Sequence, residues 1–275
     1  MSVAAASTVA SPFIPAARLV VALAAPERRV TPVYVAAEAH AQPPAGLIPG
    51  SVETSLPVHY AAPGNPAEGR LPLPSREAVL AWVAQAGIDR DAGIVVYDAA
   101  NGTAAARAWW VLTWAGLPKV RILDGGLKAW RAAGDAVAET EPESAAALPA
   151  LQGIGTEEIA ANPQAFRLID ARSAANYAGD GVQPSHLPGA VNSPAGQWQD
   201  AEGRLLPRER RLELARGLGL LDADAPPAVA YCGSGVAAAY LIAAVQDLGI
   251  QPALYAGSWS AWSADPARLA ASAAA

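Results

Sequence analysis

One cysteine, Cys232, stands in 275 residues. That scarcity excludes an internal disulfide and any metal site built from clustered cysteines. It fits a reducing compartment, the cytoplasm, in which a free thiol survives for chemistry. Histidine is also sparse, at three residues. His40 and His59 have no partners at ligand spacing, and neither a metal nor an organic cofactor is expected. Charged residues make up only 16% and the net charge is −6, which leaves no basic footprint for nucleic acid. No uninterrupted apolar run is long enough to span a bilayer, so no membrane partner is expected. The N-terminus has no basic stretch ahead of an apolar core. Arg18 interrupts it, and the apolar run from Leu19 to Ala25 is short for a secretory signal. It reads as a loose tail followed by an amphipathic helix.

Apolar residues, at 52%, are ample for a packed core. The length allows one large domain or two ordinary ones. Short apolar runs alternate with helical stretches. Strands are expected at residues 33–35, 94–97, 120–123, 166–169, 228–231 and 252–255. Helices are expected from Ser75 as a cap to Gln85, at 103–114, around Trp130, from Thr156, at 208–217 and at 236–248. Residues 45–73 read as irregular because proline and glycine recur through them. Residues 136–155 are Ala, Glu and Pro without a period and read as a linker. This divides the chain into domains at 13–135 and 156–275.

The two halves repeat each other. Leu47-Ile48-Pro49-Gly50 matches His186-Leu187-Pro188-Gly189, and Val95-Val96-Tyr97-Asp98 matches Val229-Ala230-Tyr231-Cys232. Gly116 to Trp130 matches Gly249 to Trp262. Strands alternating with helices predict two α/β domains with mostly parallel sheets. Ligands bind such sheets at the carboxyl ends of the strands, which is where Cys232 falls. The thiol sits on a glycine-flanked loop, Cys232-Gly233-Ser234-Gly235-Val236-Ala237, between a strand and a helix. Loop amides and the positive end of the helix favour a thiolate, which is the nucleophilic form. The loop has no Arg or Lys. That argues against a phosphatase, whose dianionic substrate needs a bidentate cation.

Asp170-Ala171-Arg172, the run from His186 to Asn192, the cysteine loop, and Tyr255-Ala256-Gly257-Ser258-Trp259-Ser260 occur in that order. Together with the duplication, they make the chain resemble the tandem rhodanese family, the thiosulfate and 3-mercaptopyruvate sulfurtransferases, from about Phe13 onward. The resemblance implies an inactive N-terminal rhodanese-like domain and a catalytic C-terminal one. It implies that Cys232 takes a sulfane sulfur from a small-molecule donor, 3-mercaptopyruvate or thiosulfate. A persulfide forms and passes its sulfur to cyanide, a thiol or a thioredoxin-like protein, without a cofactor. Asp98, at the first repeat's cysteine position, cannot carry sulfur and reads as a relic or a structural anion. A neutral loop balances a doubly charged donor less well and is the mercaptopyruvate pattern, so the resemblance favours mercaptopyruvate, and Ser234 matches the hydroxyl that family places near the thiolate.

The chain departs from the pattern elsewhere. Asn176 stands where the family carries an arginine, the loop from Gly179 to Pro184 has no basic residue, and Leu71 replaces a histidine. An aspartate near Pro57 is also missing. The expectation is weak turnover of mercaptopyruvate, or a donor held by another cation, with Arg70, Arg107 and Arg172 as candidates. A slow or non-catalytic sulfur carrier with a degenerate donor site is the alternative. Arg172 reads first as a structural partner of Asp170, and His186 as fixing its turn. Trp259 reads as packing or a cleft wall, and Trp109, Trp110 and Trp114 as core or interdomain packing.

Overall fold

The computed structural model describes residues 11–27, 29–134, 150–181 and 185–273. The N-terminal tail and residues 136–149 of the expected linker lie outside them. The first half runs β1 (Phe13–Ile14), α1 (Ala16–Ala24), β2 (Val30–Ala36), β3 (Val52–Ser55), α2 (Leu56–His59), α3 (Arg76–Gln85), β4 (Gly93–Tyr97), α4 (Thr103–Trp114), β5 (Val120–Leu123) and α5 (Gly126–Ala133). The second half runs α6 (Thr156–Ala161), β6 (Arg167–Asp170), α7 (Ala174–Ala178), β7 (Val191–Asn192), α8 (Arg208–Gly217), β8 (Ala228–Tyr231), α9 (Val236–Gln246), β9 (Ala253–Leu254), α10 (Ser258–Trp262) and α11 (Pro266–Ala273). Two parallel sheets result, ordered β1-β5-β4-β2-β3 and β7-β6-β8-β9.

The duplication holds strand by strand. β3, β2, β4 and β5 correspond to β7, β6, β8 and β9. The place of β1 is taken by Gln152 to Ile154, which hydrogen-bonds along Leu254 at 2.9 and 3.0 Å. Parallel sheets are covered on both faces, so their strands alternate between two cores. Val33, Val35, Ile94, Val96 and Ile122 face inward with Ile169, Ala230 and Leu254 of the other sheet. Tyr34, Val95, Tyr97 and Leu123 face α1 and α5, while Leu168, Val229 and Tyr231 face the outer side of the second domain.

Between the sheets lie α4 and α9, the helices that follow Asp98 and Cys232. Residues 104–112 of α4 and 238–246 of α9 are buried without a break. Their alanine runs let the two backbones approach, and helices apolar on every side belong in an interior. Each helix therefore serves its own sheet and the domain boundary at once.

The region 45–73 departs from expectation, since β3 and α2 lie within it. The strand expected at 33–35 is longer, and it sits between β4 and β3. Pro32 is tolerated because it pairs only toward β4. Pairing with β3 begins at Val33, so Pro32 is locally an edge residue. The helix α11 was not expected. No helix among the described residues is long and apolar enough to cross a membrane.

Candidate active site

β8 delivers Cys232 to the carboxyl end of the second sheet, and Gly235 turns the chain into α9 with φ +77°. The thiol is free and only 4% exposed. It lies at a cleft of about 1100 Å³ lined by both domains. Gly233, Ser234, Val236 and Ala237 line the same cleft, whereas Gly235 turns away from it.

The loop is pinned from one side by α10. The Cys232 N–H donates to Ser258 Oγ at 3.1 Å, and that hydroxyl donates to Tyr255 O at 2.8 Å. Trp259 and Ser260 donate their amides to the carbonyls of Cys232 and Gly233 at 2.9 and 3.1 Å. Ser258 has φ +55°, a left-handed conformation that is unfavourable for a side-chain-bearing residue. Its counterpart in the repeat is Gly126, with φ +54°. The sequence carried a signal for Ser258, because Gly125-Gly126 aligns with Gly257-Ser258. Only the geometry shows why a serine is there.

A strap from the first domain pins the loop from the other side. Gly69 packs so closely that a Cβ on it would lie 2.5 Å from Gly257 O, and the Arg70 N–H donates to Ser260 Oγ at 3.1 Å. Arg70 thereby brings Nη2 to 3.0 Å from where a Cβ of Gly233 would stand. Arg70 is exposed and lines the cleft.

The other candidates separate clearly. Arg172 borders the cleft, but its Nε lies 3.0 Å from both oxygens of the buried Asp170, and its Nη2 also donates to Ser185 O. Its guanidinium stands 5.1 Å from the Trp259 ring centre. Burial works to lower the Arg172 pKa, and the Asp170 carboxylate overrides it, leaving the group above its ordinary value. Arg172 is thus a largely neutralised cation, as its pairing with Asp170 suggested. Asn176 lines the cleft and is exposed. Arg107 does not line the cleft. It is 0% exposed, inside α4, with Nε and Nη2 donating to the carbonyls of Tyr60 and Leu71. As a contact for a donor in the cleft it is out of reach. His186 stacks on Tyr177 with ring centres 4.0 Å apart and Nδ1 3.1 Å from Tyr177 O, so it fixes its turn. Trp259 walls the cleft, and Trp109 and Trp110 are fully buried. Asn101, Thr103 and Gln199 also line the cleft, and motif reading had not singled them out. No three His, Cys, Asp or Glu side chains among the described residues cluster closely enough to hold a metal ion.

The twin loop shows how amides of such a loop converge on one anion. The Asp98 carboxylate accepts the amides of Ala100 and Gly102 at 2.9 and 3.0 Å on one oxygen, and that of Ala105 at 3.1 Å on the other. A strand, a loop and a helix N-terminus there enclose an anion covalently attached at the cysteine's position. Among the described residues, nothing accepts from the corresponding amides of residues 233–238. Supporting geometry is also duplicated. Tyr97 and Tyr231, each one residue before the loop, accept the amides of Ile48 and Leu187 at 3.1 Å in both cases.

A free thiol at the carboxyl end of a strand, ahead of a helix N-terminus in a duplicated parallel α/β domain, is an arrangement suited to thiolate chemistry. The family follows from comparison with known proteins. The rhodanese-like domain family matches residues 38–133 and 155–265, so the chain belongs to the rhodanese family, with two such domains in tandem. A Mycobacterium tuberculosis protein provisionally named thiosulfate sulfurtransferase SseB is 38% identical over 244 residues, covering 84% of this chain and 85% of that one. The 3-mercaptopyruvate sulfurtransferase of Escherichia coli K12 is 32% identical over 243 residues, covering 80% and 81%. The crystal structure of SseA from Escherichia coli superposes with a TM-score of 0.68 at 28% identity, covering 90% of this chain and 99% of that one. The chain is a sulfurtransferase of the thiosulfate/3-mercaptopyruvate family.

Proposed function

We propose that Cys232 carries the transferred sulfur and that thiosulfate is the preferred donor. The observation that supports the first part is Asp98. Its carboxylate occupies, in the twin loop, the place that a Cys232 thiolate or persulfide would occupy, and three amides hold it there. In the first half-reaction the Cys232 thiolate attacks the outer sulfur of thiosulfate. The sulfur–sulfur bond of the donor breaks, and sulfite leaves with the bonding pair. In the second, cyanide or a thiolate attacks the outer persulfide sulfur, and the Cys232 thiolate leaves. Loop amides and the N-terminus of α9 stabilise both anionic forms as fixed dipoles.

The donor preference rests on charge and on proton handling. Arg70 lies over Gly233 without a carboxylate partner among the described residues and supplies the cation that the loop sequence lacks. Arg172 and Asn176 border the same cleft. Mercaptopyruvate must move its thiol proton to carbon as pyruvate leaves. No histidine lines the cleft, and Leu71 offers no group for that transfer. Thiosulfate needs no proton. The cleft volume admits a thiol on a peptide or a thioredoxin-like protein as acceptor.

Initial rates with each donor at varied cyanide test the proposal. The expectation is parallel double-reciprocal lines, as a covalent intermediate requires, and a higher kcat/KM for thiosulfate. Intersecting lines would remove the persulfide route, and a higher kcat/KM for mercaptopyruvate would overturn the donor assignment. An adduct that transfers only to a protein thiol would mark a carrier.

A further inference from the structure

Among the described residues, the Arg107 and Arg211 side chains are buried and that of Arg172 is 10% exposed. Arg172 is paired with Asp170, and Arg211 with Asp247. Arg107, the most deeply buried, has no carboxylate partner among the described residues. Carbonyl oxygens take up its Nε and Nη2, and its Nη1 has no hydrogen-bond partner. A buried charge without a counter-charge is costly, and such groups are normally paired. Its Nη1 points at the cysteine loop, 2.9 Å from where a Cβ of Gly235 would stand. The position is filled differently in the twin. Arg107 lies five residues beyond the helix-capping Gly102, and Tyr240 lies five beyond Gly235. Each reaches across the α4–α9 contact to the opposite loop, since the Tyr240 ring lies 3.1 Å from where a Cβ of Gly102 would stand. So the loop holding a permanent carboxylate is met by a phenol that burial keeps neutral, and the loop holding the thiol is met by a cation.

We infer that Arg107, supplied by the domain that lacks a cysteine, is the buried counter-charge of the Cys232 anion, both thiolate and persulfide. The inference rests on Cys232 acting as the nucleophile. It gives the N-terminal domain an electrostatic part in the reaction besides walling the cleft. Arg107 touches no substrate and acts through Cys232, so it is a positioning residue. Burial pushes its pKa down to about 10, leaving it protonated at neutral pH, and negative charge on Cys232 works to raise it. The other charged or titratable groups facing Cys232 or lining its cleft are Arg70 from the strap, Arg172 with Asp170 beside β6, Asp180 on the loop after α7, and Tyr231 on β8. Helices α9 and α10 contribute amides and Ser258.

The test uses iodoacetamide alkylation of Cys232 without any sulfur donor, so it stands apart from turnover. Arg107→Met should move the midpoint of the rate-versus-pH curve up by about one unit, a roughly tenfold loss of rate at a fixed pH below it. Arg107→Lys should retain most of the wild-type profile, and circular dichroism verifies the fold of each. A folded Arg107→Met protein with an unmoved midpoint would overturn the inference, as would equal shifts for Lys and Met. A second measurement needs no variant. A buried cation is poorly screened, so the wild-type midpoint should stay put between low salt and about 1 M. A midpoint that climbs with salt would assign the stabilisation to exposed Arg70 instead.

Discussion

Replacing Asp98 probes the anion cradle where no catalysis complicates the readout. Its carboxylate is 3% exposed and accepts three amides, two of them from residues at the loop surface and one from the fully buried Ala105. Hydrogen bonds to a charged acceptor contribute about 1.5–3 kcal/mol each, and a buried donor left unsatisfied costs about 1–3 kcal/mol. In Asp98→Ala, water can reach the amides of Ala100 and Gly102 but not that of Ala105. The N-terminus of α4 also loses its anion. The expected destabilisation is therefore about 2–3 kcal/mol, well below the sum of three bonds. Asp98→Asn keeps one oxygen for the two loop amides and turns an NH₂ toward Ala105, so it should lose about 1–2 kcal/mol. Urea unfolding, read as the midpoint at unchanged slope, measures both. If either variant unfolds within about 0.5 kcal/mol of wild type, the carboxylate is not anchoring the loop and the reading of the cysteine loop by its twin fails.

Four other outcomes follow from the same geometry. Cys232→Ser should abolish thiocyanate formation while changing the unfolding midpoint little, and residual transfer in that variant would displace Cys232 from its role. Ser258→Ala keeps the left-handed strain but loses both bonds of the hydroxyl, so it should cost more than Ser258→Gly, with about 1–3 kcal/mol expected for Ala; a Ser258→Ala melt equal to wild type would deny Ser258 its pinning role. Tyr97→Phe and Tyr231→Phe each strand one buried amide in a duplicated turn and should destabilise by similar amounts, about 1–3 kcal/mol, in parallel urea titrations. Arg70→Met should raise KM for thiosulfate several-fold more than it lowers kcat; an unchanged KM would remove Arg70 from donor binding.

Much of this architecture was legible in the sequence because local signals and tertiary packing agree. The helices at 103–114 and 208–217 and the strands at 120–123 and 228–231 form at the expected residues. Each is bounded on at least one side by glycine, proline or a charged residue. The duplicated Pro-Gly turns, Ile48-Pro49-Gly50 and Leu187-Pro188-Gly189, are visible in one dimension and are realised as paired Tyr-to-amide bonds in three. Other features were hidden for specific reasons. β3, Val-Glu-Thr-Ser, has no apolar alternation and is a strand only because β2 pairs with it. Arg107 carries the charge of a cleft residue, but its position is decided by a helix-to-helix contact between halves more than a hundred residues apart. The cradle formed by residues 98–105 consists of amide directions, which no side-chain pattern records.

The proposed reaction depends on Cys232 carrying sulfur as a persulfide. Intact-mass and peptide-mass analysis after incubation with thiosulfate tests it most directly. One added sulfur atom is expected, on the peptide containing Cys232, removed by cyanide with formation of thiocyanate. A protein that stays unmodified by both thiosulfate and mercaptopyruvate, or a sulfur adduct that cyanide does not release, would contradict it.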